Sequence, residues 1–200
     1  MSASSSTRER LRHVPNAISV ARVAAVPILL ALAVAGREFA FTWVLVPALL
    51  TDIADGWLAR KFDLSSKLGA LLDSIADTLL LLVSIVGIWV FHRDVITSHA
   101  MLCATVIGLW VLENIVALLR YGRLSSFHTY VSKTAGYLLG IYIGVLFVFG
   151  HYPGLLYVAA GWSIVGSLEE FVLLALLREW RANVRGVWWV LHERRTGRPA

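Results

Sequence analysis

Read from its amino end, the chain alternates long apolar runs with short polar connections. Runs about twenty residues long fall at 17–35, 39–60, 68–91, 98–119, 131–149 and 153–177. A helix rises 1.5 Å per residue, so each run is long enough to cross a hydrocarbon layer roughly 30 Å thick. Lipid offers the backbone no hydrogen-bond partners, and none of the runs shows the in-out alternation of barrel strands. The pattern therefore predicts an all-α integral membrane bundle of six transmembrane helices. Residues 1–16 would form a short amino-terminal segment and 178–200 a tail. The Ser-rich start, Ser2 to Ser6, reads as disordered, and the first run reads as a retained span with no cleavage pattern behind it.

The charges between the runs orient the bundle. Arg8, Arg10 and Arg12 precede the first run; Arg60, Lys61 and Lys67 link the second to the third; Arg120, Arg123 and Lys133 link the fourth to the fifth. Six further arginines lie in the tail, whereas the opposite connections hold only Arg37 and Arg93. Cationic loops stay on the cytoplasmic side, which predicts that both termini face the cytoplasm, in a bacterial cytoplasmic membrane. The net charge of +5 is thus topological and implies membrane lipid, not nucleic acid, as partner. Trp180, Trp188, Trp189 and Leu191 alternate with arginines in the tail, which suits either an interfacial helix on anionic lipid or a plain topology anchor. The single cysteine, Cys103, excludes a disulfide or a cysteine metal site within one chain.

Four aspartates interrupt this apolar background. An aspartate at the centre of a membrane helix costs about 2.5–3.5 kcal/mol, so a set of four needs compensation. Asp52 and Asp55 are three apart near the end of the second run; Asp73 and Asp77 are four apart near the start of the third. Each pair shares a helical face, and the short connection between the runs brings the two faces together. Hard divalent cations with oxygen preference relieve the repulsion of four such carboxylates and leave coordination positions for phosphate oxygens. Gly56, Ala59 and Gly69 clear space beside the acids, and Arg60 adds a planar donor fork suited to phosphate.

The whole stretch reads Asp52-x2-Asp55-Gly56-x2-Ala59-Arg60-x8-Gly69-x3-Asp73-x3-Asp77. At all eight fixed positions it resembles the signature of the CDP-alcohol phosphotransferase family, also called the CDP-alcohol phosphatidyltransferase family. Pro15, Asn16, Ser19, Arg22 and Pro27 are similar to that family's opening of its first span. The resemblance implies transfer of a phosphate-linked group from a CDP-activated lipid or alcohol to an acceptor hydroxyl, with release of CMP, by a homodimer. It implies that Asp52, Asp55, Asp73 and Asp77 hold two divalent ions, Mg²⁺ or Mn²⁺, with Asp77 also the general base. Gly56, Ala59, Arg60 and Gly69 would line the nucleotide pocket, with Asp55 or a neighbour also touching the cytidine part. Arg120, Arg123 and Lys133 are candidates for the acceptor.

Two positions depart from the phosphatidylglycerophosphate synthase branch of that family: Thr78 stands where a lysine is usual, and the fourth run offers Glu113 where an arginine is usual. Lys133-Thr134 resembles a pair in the same branch. Glu113, Glu169 and Glu170 either serve the function or pair with Arg22 or line a dimer contact, and Asn16 and Arg22 either pack against the site or touch nucleotide. Two other functions fit acidic membrane helices. A Mg-dependent prenyltransferase would release pyrophosphate, and a divalent-cation transporter would need no nucleotide.

Overall fold

The computed structural model describes residues 3–62, 67–122, 129–177, 179 and 184–196, with side chains over 18–51, 75–122, 129–177, 179 and 184–193. All regular structure among them is helical. Eight helices follow in order: α1 (Ala3–Val34), α2 (Glu38–Phe62), α3 (Lys67–Phe91), α4 (Arg93–Ser98), α5 (Ala100–Tyr121), α6 (Tyr130–Phe149), α7 (Pro153–Leu176) and α8 (Val187–Thr196). They form two compact units, residues 1–97 and 98–200.

The apolar runs and the helices coincide within two residues at most boundaries. Among the described residues, α5, α6 and α7 are each long and apolar enough to cross a membrane, and shorter apolar stretches lie at Ile18–Val34, Glu38–Thr51 and Ile75–Phe91. One expectation is corrected: α1 starts at Ala3, so Ser4, Ser5 and Ser6 are helical, not disordered, and Ser2 lies outside the described residues. No glycine or proline interrupts residues 3–14, and Arg, Glu and Leu there are good helix formers. The six-residue α4 was not signalled by any apolar run.

In the first unit α1 packs against both α2 and α3, which also touch each other. Among the described side chains of α1 the buried ones are Ser19, Arg22, Val26, Leu29 and Ala33, spaced three and four apart as a core-facing stripe demands. Ala76, Leu80, Val83 and Ser84 supply the seam of α3, and Phe41, Leu45 and Ala48 that of α2. The α1–α2 turn closes by a Schellman motif. Arg37 N–H donates to Leu32 O (3.0 Å) and Gly36 N–H to Ala33 O (3.1 Å), with Gly36 at φ 66°, a conformation glycine adopts at little cost. Beside that turn Glu38, the first residue of α2, meets His92 just past the end of α3, with Nε2 to Oε1 at 3.1 Å.

In the second unit α7 packs against α5, α6 and α8. Gly166 brings α7 close to α6: a Cβ there would lie 3.5 Å from the Cα of Ser132 and 3.8 Å from the Cβ of Ala135. Thr129 caps α6, its Oγ1 accepting from Ser132 N–H at 3.0 Å. Ala117, Leu173, Leu174, Leu177 and Val190 form one core in which α8 docks. The docking is also polar, since Glu169 Oε1 accepts from Val187 N–H at the first residue of α8 (3.2 Å). Tyr130 N–H donates to Arg185 O at 3.3 Å. Trp188 and Leu191 of α8 remain exposed.

Candidate functional site

Asp52, Asp55, Gly56, Ala59 and Arg60 all lie in the last four turns of α2, and Gly69, Asp73 and Asp77 in the first three turns of α3. Only four residues separate Phe62 from Lys67, and packed helices joined so briefly run antiparallel. Asp52 and Asp77 each stand ten residues from the helix end at that connection, about 15 Å along the axis. Asp55 stands seven residues from it and Asp73 six, about 10 Å along. The four acids therefore occupy two matched levels of one hairpin. Side chains of Asp52, Asp55, Gly56, Ala59, Arg60, Gly69 and Asp73 lie outside the described residues, as does Arg123 entirely.

Asp77 is described, and its surroundings are specific. Its Oδ1 accepts a hydrogen bond from Nη1 of Arg22 on α1 at 2.5 Å, a charge-assisted contact. The Arg22 side chain is 1% exposed and that of Asp77 42% exposed. The carboxylate is therefore anchored from the protein side and accessible on another. Arg22 thus pairs with one of the four aspartates of the signature.

A carboxylate-only donor set on two facing helices has the chemistry that Mg²⁺ or Mn²⁺ requires: hard oxygen donors from few residues, with room for water and phosphate. The residues thus fit the implied ions. Among the described side chains no three His, Cys, Asp or Glu residues gather, and three of the four aspartates fall outside that set.

In the second unit Arg120 has a structural task. Its Nη2 donates to Leu177 O at 3.1 Å, and Tyr121 Oη donates to the same carbonyl at 2.7 Å. Together they satisfy the carboxyl end of α7, where cations also complement the helix dipole. Arg120→Ala is thus expected to lower thermal stability by about 1 kcal/mol. If capping is its whole task, the KM for acceptor stays within about twofold of wild type; loss of a phosphate ligand would raise it about tenfold or more. Lys133 lies in the first turn of α6 and is half-buried. Glu113 of α5 and Glu170 of α7 are buried in the second unit, while Glu169 serves the amino end of α8.

Arg22 is the residue whose place at the site the sequence reading left open. The available signal was its position in the α1 stripe, where Ser19, Val26, Leu29 and Ala33 occupy the neighbouring core positions. A guanidinium at such a position has to find a counter-charge.

Comparison with known proteins bears on this arrangement. The family model of the CDP-alcohol phosphatidyltransferases matches residues 12–189. A CDP-diacylglycerol--glycerol-3-phosphate 3-phosphatidyltransferase of Arabidopsis thaliana is 41% identical over 76 residues, covering 36% of this chain and 32% of that protein. The enzyme of the same name from Rickettsia typhi is 34% identical over 42% of this chain and 48% of its own length. A CMP-forming cardiolipin synthase of Streptomyces coelicolor is 33% identical over 121 residues, 57% of this chain and 55% of that protein. The chain thus spans from about a third to about half the length of these curated relatives. No solved structure gives a significant match. With its model matched across nearly the whole chain and its signature spread over one hairpin, the chain belongs to the CDP-alcohol phosphatidyltransferase family.

Proposed function

We propose that this chain is a phospholipid-biosynthetic transferase that moves a phosphatidyl group from a CDP-activated lipid such as CDP-diacylglycerol to an acceptor alcohol, releasing CMP. The observation that carries this reading is the level-matched placement of four aspartates on the α2–α3 hairpin, in the spacing of the family to which the chain belongs. The protein crosses the membrane six times, with both termini on the cytoplasmic side of a bacterial membrane, and works as a homodimer. Arginine asymmetry and the six apolar runs support the topology.

The acceptor hydroxyl oxygen attacks the lipid-bearing phosphorus of the diphosphate. A new P–O bond forms to the acceptor, and the bond to the bridging oxygen breaks. That oxygen leaves with its electron pair as part of CMP. The acceptor proton passes to the carboxylate of Asp77, whose exposure permits approach of the alcohol. Asp52, Asp55, Asp73 and Asp77 would hold two Mg²⁺ or Mn²⁺ ions, which when bound neutralise charge on the diphosphate. Arg60, Gly56, Ala59 and Gly69 shape the nucleotide pocket, and Asp55 also meets its cytidine part. Arg123 and Lys133, with Arg120, are the candidates for holding a phosphate on the acceptor. Release at a cytoplasmic surface lets soluble CMP diffuse away while the lipid product stays.

The name of one group of relatives supports glycerol 3-phosphate as acceptor, and the likeness to a CMP-forming cardiolipin synthase makes phosphatidylglycerol the second acceptor to test. Purified full-length protein in mixed micelles with labelled CDP-diacylglycerol, Mg²⁺ and each acceptor in turn discriminates them by the lipid formed. Equimolar CMP and a new phosphodiester lipid are expected with one acceptor. Pyrophosphate release would indicate a prenyltransferase instead. Ion flux into vesicles without any nucleotide turnover would indicate a transporter.

A further inference from the structure

We infer that Arg22, on the first helix and 55 residues away from its partner, is a positioning residue that aims the carboxylate of Asp77 at the acceptor hydroxyl. The inference rests on the proposed role of Asp77 as base and adds the means by which that base is held. Three observations carry it. The α1 stripe is built from Ser19, Arg22, Val26, Leu29 and Ala33, so Arg22 occupies a core position that an apolar side chain would ordinarily fill. A full positive charge at that place breaks the local pattern, and such breaks concentrate at functional sites. The guanidinium reaches Asp77 Oδ1 at 2.5 Å while its own side chain is 1% exposed, so the partner least able to move holds the one that is 42% exposed.

Geometry explains why holding matters. Ala76, Leu80 and Val83 fix the seam of α3 against α1, which sets the backbone of Asp77, but a half-open aspartate still has rotamers to choose among. A base misplaced by about 1 Å can lose about 100-fold in rate. A planar, rigid donor buried behind one oxygen removes that freedom, and arginine supplies it better than the flexible ammonium of lysine. The nucleotide pocket is assigned to Arg60, Gly56, Ala59 and Gly69, and the other three acids still hold the ions, so the consequence falls on turnover far more than on affinity.

The test uses full-length protein in mixed micelles with four variants: Arg22→Gln, Arg22→Lys, Asp77→Asn and the Arg22→Gln, Asp77→Asn pair. Turnover is normalised to the CDP-lipid binding capacity of each preparation, which removes any misfolded fraction. Arg22→Gln is expected to lower kcat about 10- to 100-fold with KM for the CDP-lipid within about twofold. Arg22→Lys is expected to recover part of that loss. In thermal melts the two single substitutions are expected to be non-additive, because each removes the same contact. A normal kcat per binding-competent Arg22→Gln molecule, with Asp77→Asn inactive, overturns the role of Arg22 and leaves the base assignment standing. Full turnover by Asp77→Asn removes the base and Arg22's task with it. Additive melting losses overturn the pairing itself, including where Arg22→Gln is too unstable for kinetics.

Discussion

Asp77→Asn is expected to reduce kcat by at least about 100-fold while the protein still binds CDP-diacylglycerol. General-base catalysis contributes roughly 10²–10⁴ in rate, and the amide of asparagine keeps the shape of the carboxylate without its basicity. The same substitution also disturbs structure, because Arg22 loses the negative charge it donates to. Breaking a fully buried pair costs about 3–5 kcal/mol, and here the cost is lower because the Asp77 side chain is 42% exposed to screening. Chemistry and folding therefore separate in one experiment. A modest fall in melting temperature with near-complete loss of turnover per binding-competent molecule supports a base; turnover that falls only in proportion to the folded fraction refutes it. Asp77→Glu is a useful control, since it keeps the charge and moves the oxygen outward.

Sequence alone located most of the helices because hydrophobic length is a direct measure of what lipid demands. The runs 131–149 and 153–177 became α6 (Tyr130–Phe149) and α7 (Pro153–Leu176) almost residue for residue. Pro153 favours the first helical turn, and Gly150 at φ 94° follows the end of α6, so punctuation and hydropathy agreed. The first helix was underestimated since its amino end, with Arg8, Glu9 and Arg10, is polar yet helix-compatible. Hydropathy marks where lipid is, and helix propensity continues beyond it. The tail's tryptophans and arginines suit an interfacial helix or a topology anchor, and among its described residues a helix runs over Val187–Thr196. Gly186 precedes that start, and a Cβ there would come within 2.8 Å of Glu169 Oε1. That close approach brings the residue before α8 against a side chain of α7 and leaves no local trace in the sequence.

The candidate site was legible for the same reason in reverse: acids in an apolar run are costly, so their spacing is informative. Helical periodicity placed Asp52 with Asp55 and Asp73 with Asp77, and the brief α2–α3 connection placed the pairs at matched heights. What periodicity could not supply was the third helix of the arrangement. Nothing between residues 22 and 77 announces that Arg22 and Asp77 meet, because α1 and α3 are neighbours in space only after α2 has run out and back. Arg120 illustrates the converse. Its position on a cationic connection suggested topology or acceptor binding, yet its observed bond goes to Leu177 O, a helix-end carbonyl 57 residues away.

Removing divalent cations is expected to abolish turnover, and readdition of Mg²⁺ or Mn²⁺ to restore it. Single neutralisations within the hairpin then discriminate what each acid does. Asp52, Asp55 and Asp73 would repel one another and Asp77 when no cation lies between them, so their carboxylates destabilise the cation-free fold. Asp73→Asn or Asp55→Asn is therefore expected to raise the melting temperature in EDTA while cutting kcat by more than about 100-fold, beyond the 10–100-fold typical of residues that only support ligands. Asp77→Asn is expected to do the opposite to stability, because Arg22 at 2.5 Å already compensates that charge. Titration of Mn²⁺ followed by electron paramagnetic resonance should give two bound ions for the wild type and fewer for Asp73→Asn. A hairpin whose acids were merely structural would melt earlier on every neutralisation, with no dependence on chelator. Opposite signs at Asp73 and Asp77 under EDTA would be hard to produce by any arrangement other than mutually repelling ligands beside one anchored base.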